Sequence, residues 1–97
     1  MIMMNQDKIT KHVIISGRVQ GVFFRACTQE EAQKNQVFGW VRNCANGDVE
    51  AIFQGAEQNV LSMLEWCQKG SPSSEVYSLK TEYLTTQEVF SDFSIRH

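Results

Sequence analysis

Apolar and polar positions along this chain alternate with the two periods of secondary structure, close to 2 for strands and 3.6 for helices. Lys8 to Ser16 (KITKHVIIS) is rich in β-branched residues and predicts a strand. From Phe24 to Gln36 the period becomes helical: Phe24, Cys27, Thr28 and Ala32 recur on one face, while Gln29, Glu30, Gln33 and Lys34 face water. Val37 to Asn43 returns to strand alternation, with Val37, Gly39 and Val41 on one side and Phe38, Trp40 and Arg42 on the other. Asp48 to Gln54 alternates through Val49, Ala51 and Phe53. The Asn46-Gly47 pair between these strands predicts a hairpin, since both positions accept positive φ. A second helix is expected from Ala56 to Lys69, with Val60, Leu61, Leu64 and Cys67 as its apolar stripe, Gly70 just past its end and Pro72 as a stop. Glu75 to Leu84 has strand composition, and Phe93 to Arg96 makes a short last strand. The order β-α-β-β-α-β plus a terminal strand predicts an α+β fold, a ferredoxin-like two-layer sandwich. Its sheet would be antiparallel with two helices on one face, since each helix has a single apolar stripe.

Composition narrows the picture further. At 97 residues, 42% hydrophobic and 21% charged, the chain suits one globular domain over residues 8–97. Residues 1–7 are expected to be flexible. The net charge of −2, from 9 basic and 11 acidic residues, argues against nucleic acid as a partner, because phosphate contacts dominate that affinity. A small anionic ligand needs only one or two cations. The opening Met1-Ile2-Met3-Met4 is too short for a signal peptide, and no stretch suits a membrane helix; both point to the cytoplasm. Size and polar helix faces suit a monomer. Cys27, Cys44 and Cys67 are odd in number and lack metal-site spacing, so packed thiols are expected ahead of a single disulfide.

Candidate chemistry concentrates in Gly17-Arg18-Val19-Gln20-Gly21-Val22-Phe23-Phe24-Arg25, between the first strand and the first helix. Two glycines four apart allow a tight turn that aims backbone N–H groups inward. The loop runs into a helix N-terminus, where orphan N–H groups and the helix dipole attract anions. No Ser, Thr, Asp or Asn occupies positions 17–24 to cap that helix, a place that a bound phosphate could take. Arg25, in the first helical turn, offers a planar fork of donors to phosphate oxygens. Spacing alone leaves a second reading open, in which the glycines only make a turn and Arg25 is solvated. No Lys-Ser/Thr follows the second glycine, and no cysteine stands six residues before an arginine. Neither a nucleotide P-loop nor a cysteine-phosphate mechanism is therefore indicated.

The segment from Ile15 to Arg25 resembles the first acylphosphatase signature, G-x-V-Q-G-V-x-F-R, without a departure. Gly39-Trp40-Val41-Arg42-Asn43-Cys44-Ala45-Asn46-Gly47-Asp48-Val49-Glu50 is similar to the second, with Gly55 at its closing glycine. Phe93 to Arg96 resembles the family's usual ending. The resemblance implies a metal-free, cofactor-free hydrolase of small acyl phosphates. It assigns Arg25 and the backbone amides of Val19, Gln20, Gly21 and Val22 to the phosphoryl group, and Asn43 to the attacking water. Arg18 and Arg42 are expected to raise the local potential or face water, and His12 and His97 to stand outside the chemistry. Thr28 either supports the loop or bonds back to its own helix. Two other functions compete: an RNA-binding module, which would need aromatics on a central strand where Asp48 to Gln54 has none of the expected pattern, and a non-catalytic anion sensor.

Overall fold

The computed structural model describes residues 8–21 and 23–97. The expected flexible segment 1–7, and the place of Val22 in the cradle, lie outside the described residues. Strands and helices follow in the order β1 (Lys8–Arg18), α1 (Phe24–Lys34), β2 (Phe38–Asn43), β3 (Val49–Ala56), α2 (Glu57–Lys69), β4 (Glu75–Tyr83) and β5 (Phe93–Arg96). They form one sheet in the order β4-β1-β3-β2-β5. The pairings β1–β3, β1–β4 and β2–β3 are antiparallel, and β5 joins the edge parallel to β2. This is the ferredoxin-like sandwich that the residue periods predict.

One face of the sheet carries the core. Val13 and Ile15 of β1, Val41 of β2, and Val49, Ala51 and Phe53 of β3 are all fully buried there. Both helices cover that face, α1 over β2 and β5, α2 over β1, β3 and β4. Phe24 and Trp66 join the helices with ring centres 5.7 Å apart. The apolar stripe of α2 departs from expectation at one place: Met63 is buried beside Val60 and Cys67, while Leu61 is 48% exposed. Counting from Val60 by three and then four places gives Met63 and Cys67, and Leu61 falls off that line. Of the three cysteines only Cys67 is buried; Cys27 and Cys44 are half-buried, and all three are free thiols.

Two boundaries differ from the sequence reading for identifiable reasons. β1 runs on to Arg18, and Gly17 pairs with Val76 across a register shift, so Gly17 belongs to the strand and not to the turn. A Cβ there would lie 2.1 Å from the carbonyl oxygen of Glu75, which is why the position holds glycine. α1 stops at Lys34 because Gln36 adopts φ 57°. Gln36 N–H donates to Gln33 O at 3.3 Å and Val37 N–H to Ala32 O at 2.8 Å, a Schellman closure with glutamine where glycine is usual. The expected β2–β3 hairpin is present, and three residues lie within its closing pair. Cys44 N–H donates to Asp48 O at 2.8 Å and Gly47 N–H to Cys44 O at 3.2 Å. Only Gly47, at φ 100°, has positive φ, while Asn46 Oδ1 accepts from Asp48 N–H at 3.0 Å.

Candidate active site

Because β3 is antiparallel to both β1 and β2, those two strands point the same way, and β5 joins them. Their C-terminal ends therefore lie at one end of the sheet. The chain leaves β1 there, crosses Val19 to Phe23, and enters α1. The N-terminus of α1, the end of β2 at Asn43 and the end of β5 meet around a pocket of about 380 Å³. Val19, Gly21, Arg25 and Asn43, four residues singled out in the sequence, line it together.

The helix terminus is uncapped, as the missing Ser, Thr, Asp and Asn imply. Phe23 is the N-cap residue, in left-handed conformation (φ 60°, ψ 23°), and among the described residues no side chain caps the N–H groups of the first turn. The first helical bond runs from Cys27 N–H to Phe23 O at 3.0 Å, leaving the N–H groups of Phe24, Arg25 and Ala26 ahead of it. Gly21 also has positive φ, 74°, and a Cβ there would meet nothing within 4 Å, so conformation and not space favours glycine. Positive φ thus occurs at Gly21 and again at Phe23, the residue that opens the helix.

Arg25 is half-buried. Its Nη1 lies 3.5 Å from the carbonyl oxygen of Arg96 and 3.4 Å from Nδ1 of His97. These are long contacts for a guanidinium, and among the described residues no carboxylate pairs with it. Asn43 lines the pocket, yet among the described residues its side-chain amide makes no hydrogen bond, and its Oδ1 is enclosed without a donor. An amide fixed at neither end can turn its oxygen or its NH₂ to the pocket by half a rotation about χ2.

Other candidates are placed elsewhere. Arg42 Nε donates to Glu50 Oε1 at 2.6 Å, and His12 Nε2 meets Glu50 Oε2 at 2.6 Å, on the sheet face away from the helices. Hydrogen bonding from His12, more than from Arg42, holds the Glu50 carboxyl below the usual glutamate range. Arg18 is exposed and stands opposite Glu75. Thr28 bonds back to its helix, Oγ1 to Phe24 O at 2.7 Å, the plainer of its two readings. Burial, reinforced by the Glu50 carboxylate, pushes the Cys44 thiol up, and burial pushes Cys67 up to about 12, so neither is poised as a thiolate. Among the described residues no group of three or more His, Cys, Asp or Glu could hold a metal ion, and no helix is long and apolar enough to cross a membrane.

Sequence reasoning gave no site role to several residues on the pocket wall. Phe23, 83% exposed, stands there with Ile95, and so does His97, which was expected to stand outside the chemistry. Only the parallel pairing of β5 with β2, with Arg42 opposite Arg96, brings His97 beside the site. The Gln20 side chain was also missed: its Nε2 donates to Cys44 O and to Asp48 O, both at 2.8 Å.

The acylphosphatase family model matches residues 11–95. The chain belongs to the acylphosphatase family. It is similar to the acylphosphatase of Haloquadratum walsbyi, 45% identical over 93 residues that cover 96% of this chain and 99% of that one. Among solved structures it resembles an acylphosphatase from Coxiella burnetii, with a TM-score of 0.89 and 35% identity over 97% of this chain and all of the other. The acylphosphatase of Bacillus subtilis gives the same TM-score at 37% identity, covering 92% of this chain and 99% of that one. Both family signatures fall inside the matched residues; the first ends at Arg25 and the second contains Asn43, and both of those residues line the pocket.

Proposed function

We propose that this protein hydrolyses acyl phosphates to a carboxylate and inorganic phosphate, without a metal ion or cofactor. The observation that carries the reading is the meeting, in one pocket, of an uncapped helix terminus with a guanidinium that has no carboxylate partner and an amide that has no hydrogen bond among the described residues. The backbone of Val19, Gln20, Gly21 and Val22 with the Arg25 fork holds the phosphoryl oxygens. Charge on those oxygens in the transition state is met by donors already in place. Asn43 accepts a hydrogen bond from water and aims it at phosphorus opposite the acyl oxygen. The water oxygen bonds to phosphorus, the bond to the acyl oxygen breaks with its electron pair, and the carboxylate leaves. A carboxylate is a weak base and needs no strong general acid, which fits a pocket with no Asp or Glu among the described residues of its wall. The water's proton passes to a phosphate oxygen.

Hydrolysis of an aryl acyl phosphate in excess chelator tests this directly. Wild type is expected to turn over undiminished. Arg25→Ala should lose about 10²–10³-fold in kcat/KM through both binding and turnover. Asn43→Ala should lose chiefly kcat, with inorganic phosphate binding retained. A chelator-sensitive wild type, or an Arg25→Ala chain of normal activity, refutes the proposal.

A further inference from the structure

Gln20 sits in the proposed cradle, but its side chain reaches away from that loop to the β2–β3 turn. We infer that the Gln20 side chain is a positioning residue that fixes the turn after Asn43 against the phosphoryl cradle, so that it acts on turnover through Asn43. The inference rests on the role proposed above for Asn43.

The bonding is unusually complete. Nε2 donates to the carbonyl oxygens of Cys44 and Asp48, both at 2.8 Å. Only the NH₂ end of an amide can face two carbonyl oxygens, so the partners fix its orientation. Each of those oxygens already accepts one backbone bond within the turn, from Gly47 N–H at 3.2 Å and from Cys44 N–H at 2.8 Å. A carbonyl oxygen has two lone pairs, and all four are now engaged. The two carbonyls bracket the turn that begins directly after Asn43, whose backbone faces Val49 in the ladder. Cradle and turn cannot separate without breaking both bonds. The Asn43 amide makes no hydrogen bond of its own among the described residues, so the backbone beneath it sets its place. Displacing a reacting group by about 1 Å costs on the order of 10²-fold in rate.

The test is a double-substitution cycle with Gln20→Met, which keeps the length and removes the donor, alone and combined with Asn43→Ala. Readouts are kcat, KM and the inhibition constant of inorganic phosphate. Gln20→Met is expected to lower kcat by roughly 10- to 100-fold. The phosphate constant should move by less than about twofold, and in the Asn43→Ala background Gln20→Met should add no more than about twofold, the scatter of independent effects. Gln20→Asn, which keeps a donor on a shorter stem, carries the same cycle where Gln20→Met fails to fold. Effects that multiply across the cycle, or phosphate binding that falls in step with kcat, overturn the inference and make Gln20 a plain structural tie. An Asn43→Ala chain with normal kcat overturns the role of Asn43 itself, and this inference with it.

Discussion

Replacing Phe23 by glycine should make the protein more stable and less active. Phe23 holds φ 60° at the head of α1 with 83% of its surface exposed, so its ring adds little burial. Left-handed backbone costs a residue with a Cβ about 1–2 kcal/mol, which glycine does not incur. Glycine also widens the unfolded ensemble, an opposing term of about 0.4–1 kcal/mol. The difference leaves a gain near 0.5–1 kcal/mol, or a Tm rise of roughly 2–8 °C for a domain of this size. Gln36→Gly supplies the control. Gln36 is exposed at φ 57° at the other end of the same helix, away from the pocket, and should gain about as much.

The two substitutions part company in activity. Gln36→Gly should hydrolyse an aryl acyl phosphate at the wild-type rate. Phe23→Gly frees the backbone at the lip of the cradle and should lose about tenfold in kcat/KM, because preorganised donors lose their advantage when they must be ordered on binding. Urea and thermal unfolding with initial-rate kinetics measure both effects. If neither chain is stabilised, the strain argument is wrong. If Gln36→Gly is stabilised and Phe23→Gly destabilised, the ring matters more than the backbone. Unchanged kinetics in Phe23→Gly would mean that the cradle needs no locked turn.

Arg25→Lys keeps the charge and loses the fork, so a fall of about 10²-fold in kcat/KM is expected. Its unfolding free energy should stay within about 0.5 kcal/mol of wild type, because the arginine's contacts within the protein are long, and activity within threefold of wild type would sink the fork argument. Glu50, held below the usual glutamate range by His12 and Arg42, contributes stability above its unfolded value and loses it as pH falls through its lower folded value. Glu50→Gln should therefore be less stable near neutrality and show a shallower loss of stability from about pH 6 to about pH 3. Parallel slopes for the two proteins would place the acid sensitivity elsewhere.

Much of this architecture is legible in the chain because local signals agree with one another. Val13, Ile15, Val49, Ala51 and Phe53 alternate with polar residues and end on one buried face. The uncapped start of α1 follows from residue types alone, since no Ser, Thr, Asp or Asn stands from Gly17 to Phe24. What escapes the sequence depends on pairing across distance. Gly17 reads as a turn residue until its approach to the Glu75 carbonyl places it inside β1. Asn46-Gly47 reads as a hairpin signal in which both positions accept positive φ, but only Gly47 adopts it, while the Asn46 side chain bonds Asp48 N–H. His97 has no pattern around it, and its place comes from the parallel docking of β5. Gln20 Nε2 finds its acceptors 24 and 28 residues away, at a range no local period reports.

The distribution of satisfied and unsatisfied polar groups separates scaffold from chemistry at this end of the sheet. Gln20 and the two carbonyls it meets form a closed set of bonds. Among the described residues, the first-turn N–H groups of α1, the Arg25 guanidinium and the Asn43 amide remain without firm partners only a few residues away. A protein selected for stability alone would place Ser or Asp at the head of α1, worth about 1 kcal/mol, and would use the Asn43 amide in the turn. Donors left open but held in place by a rigid tie have the arrangement that transition-state stabilisation requires, since they need no reordering when charge develops on the phosphoryl oxygens. The same logic predicts where loss of function and loss of stability should coincide: at the tie between cradle and turn, and not at the open donors it holds.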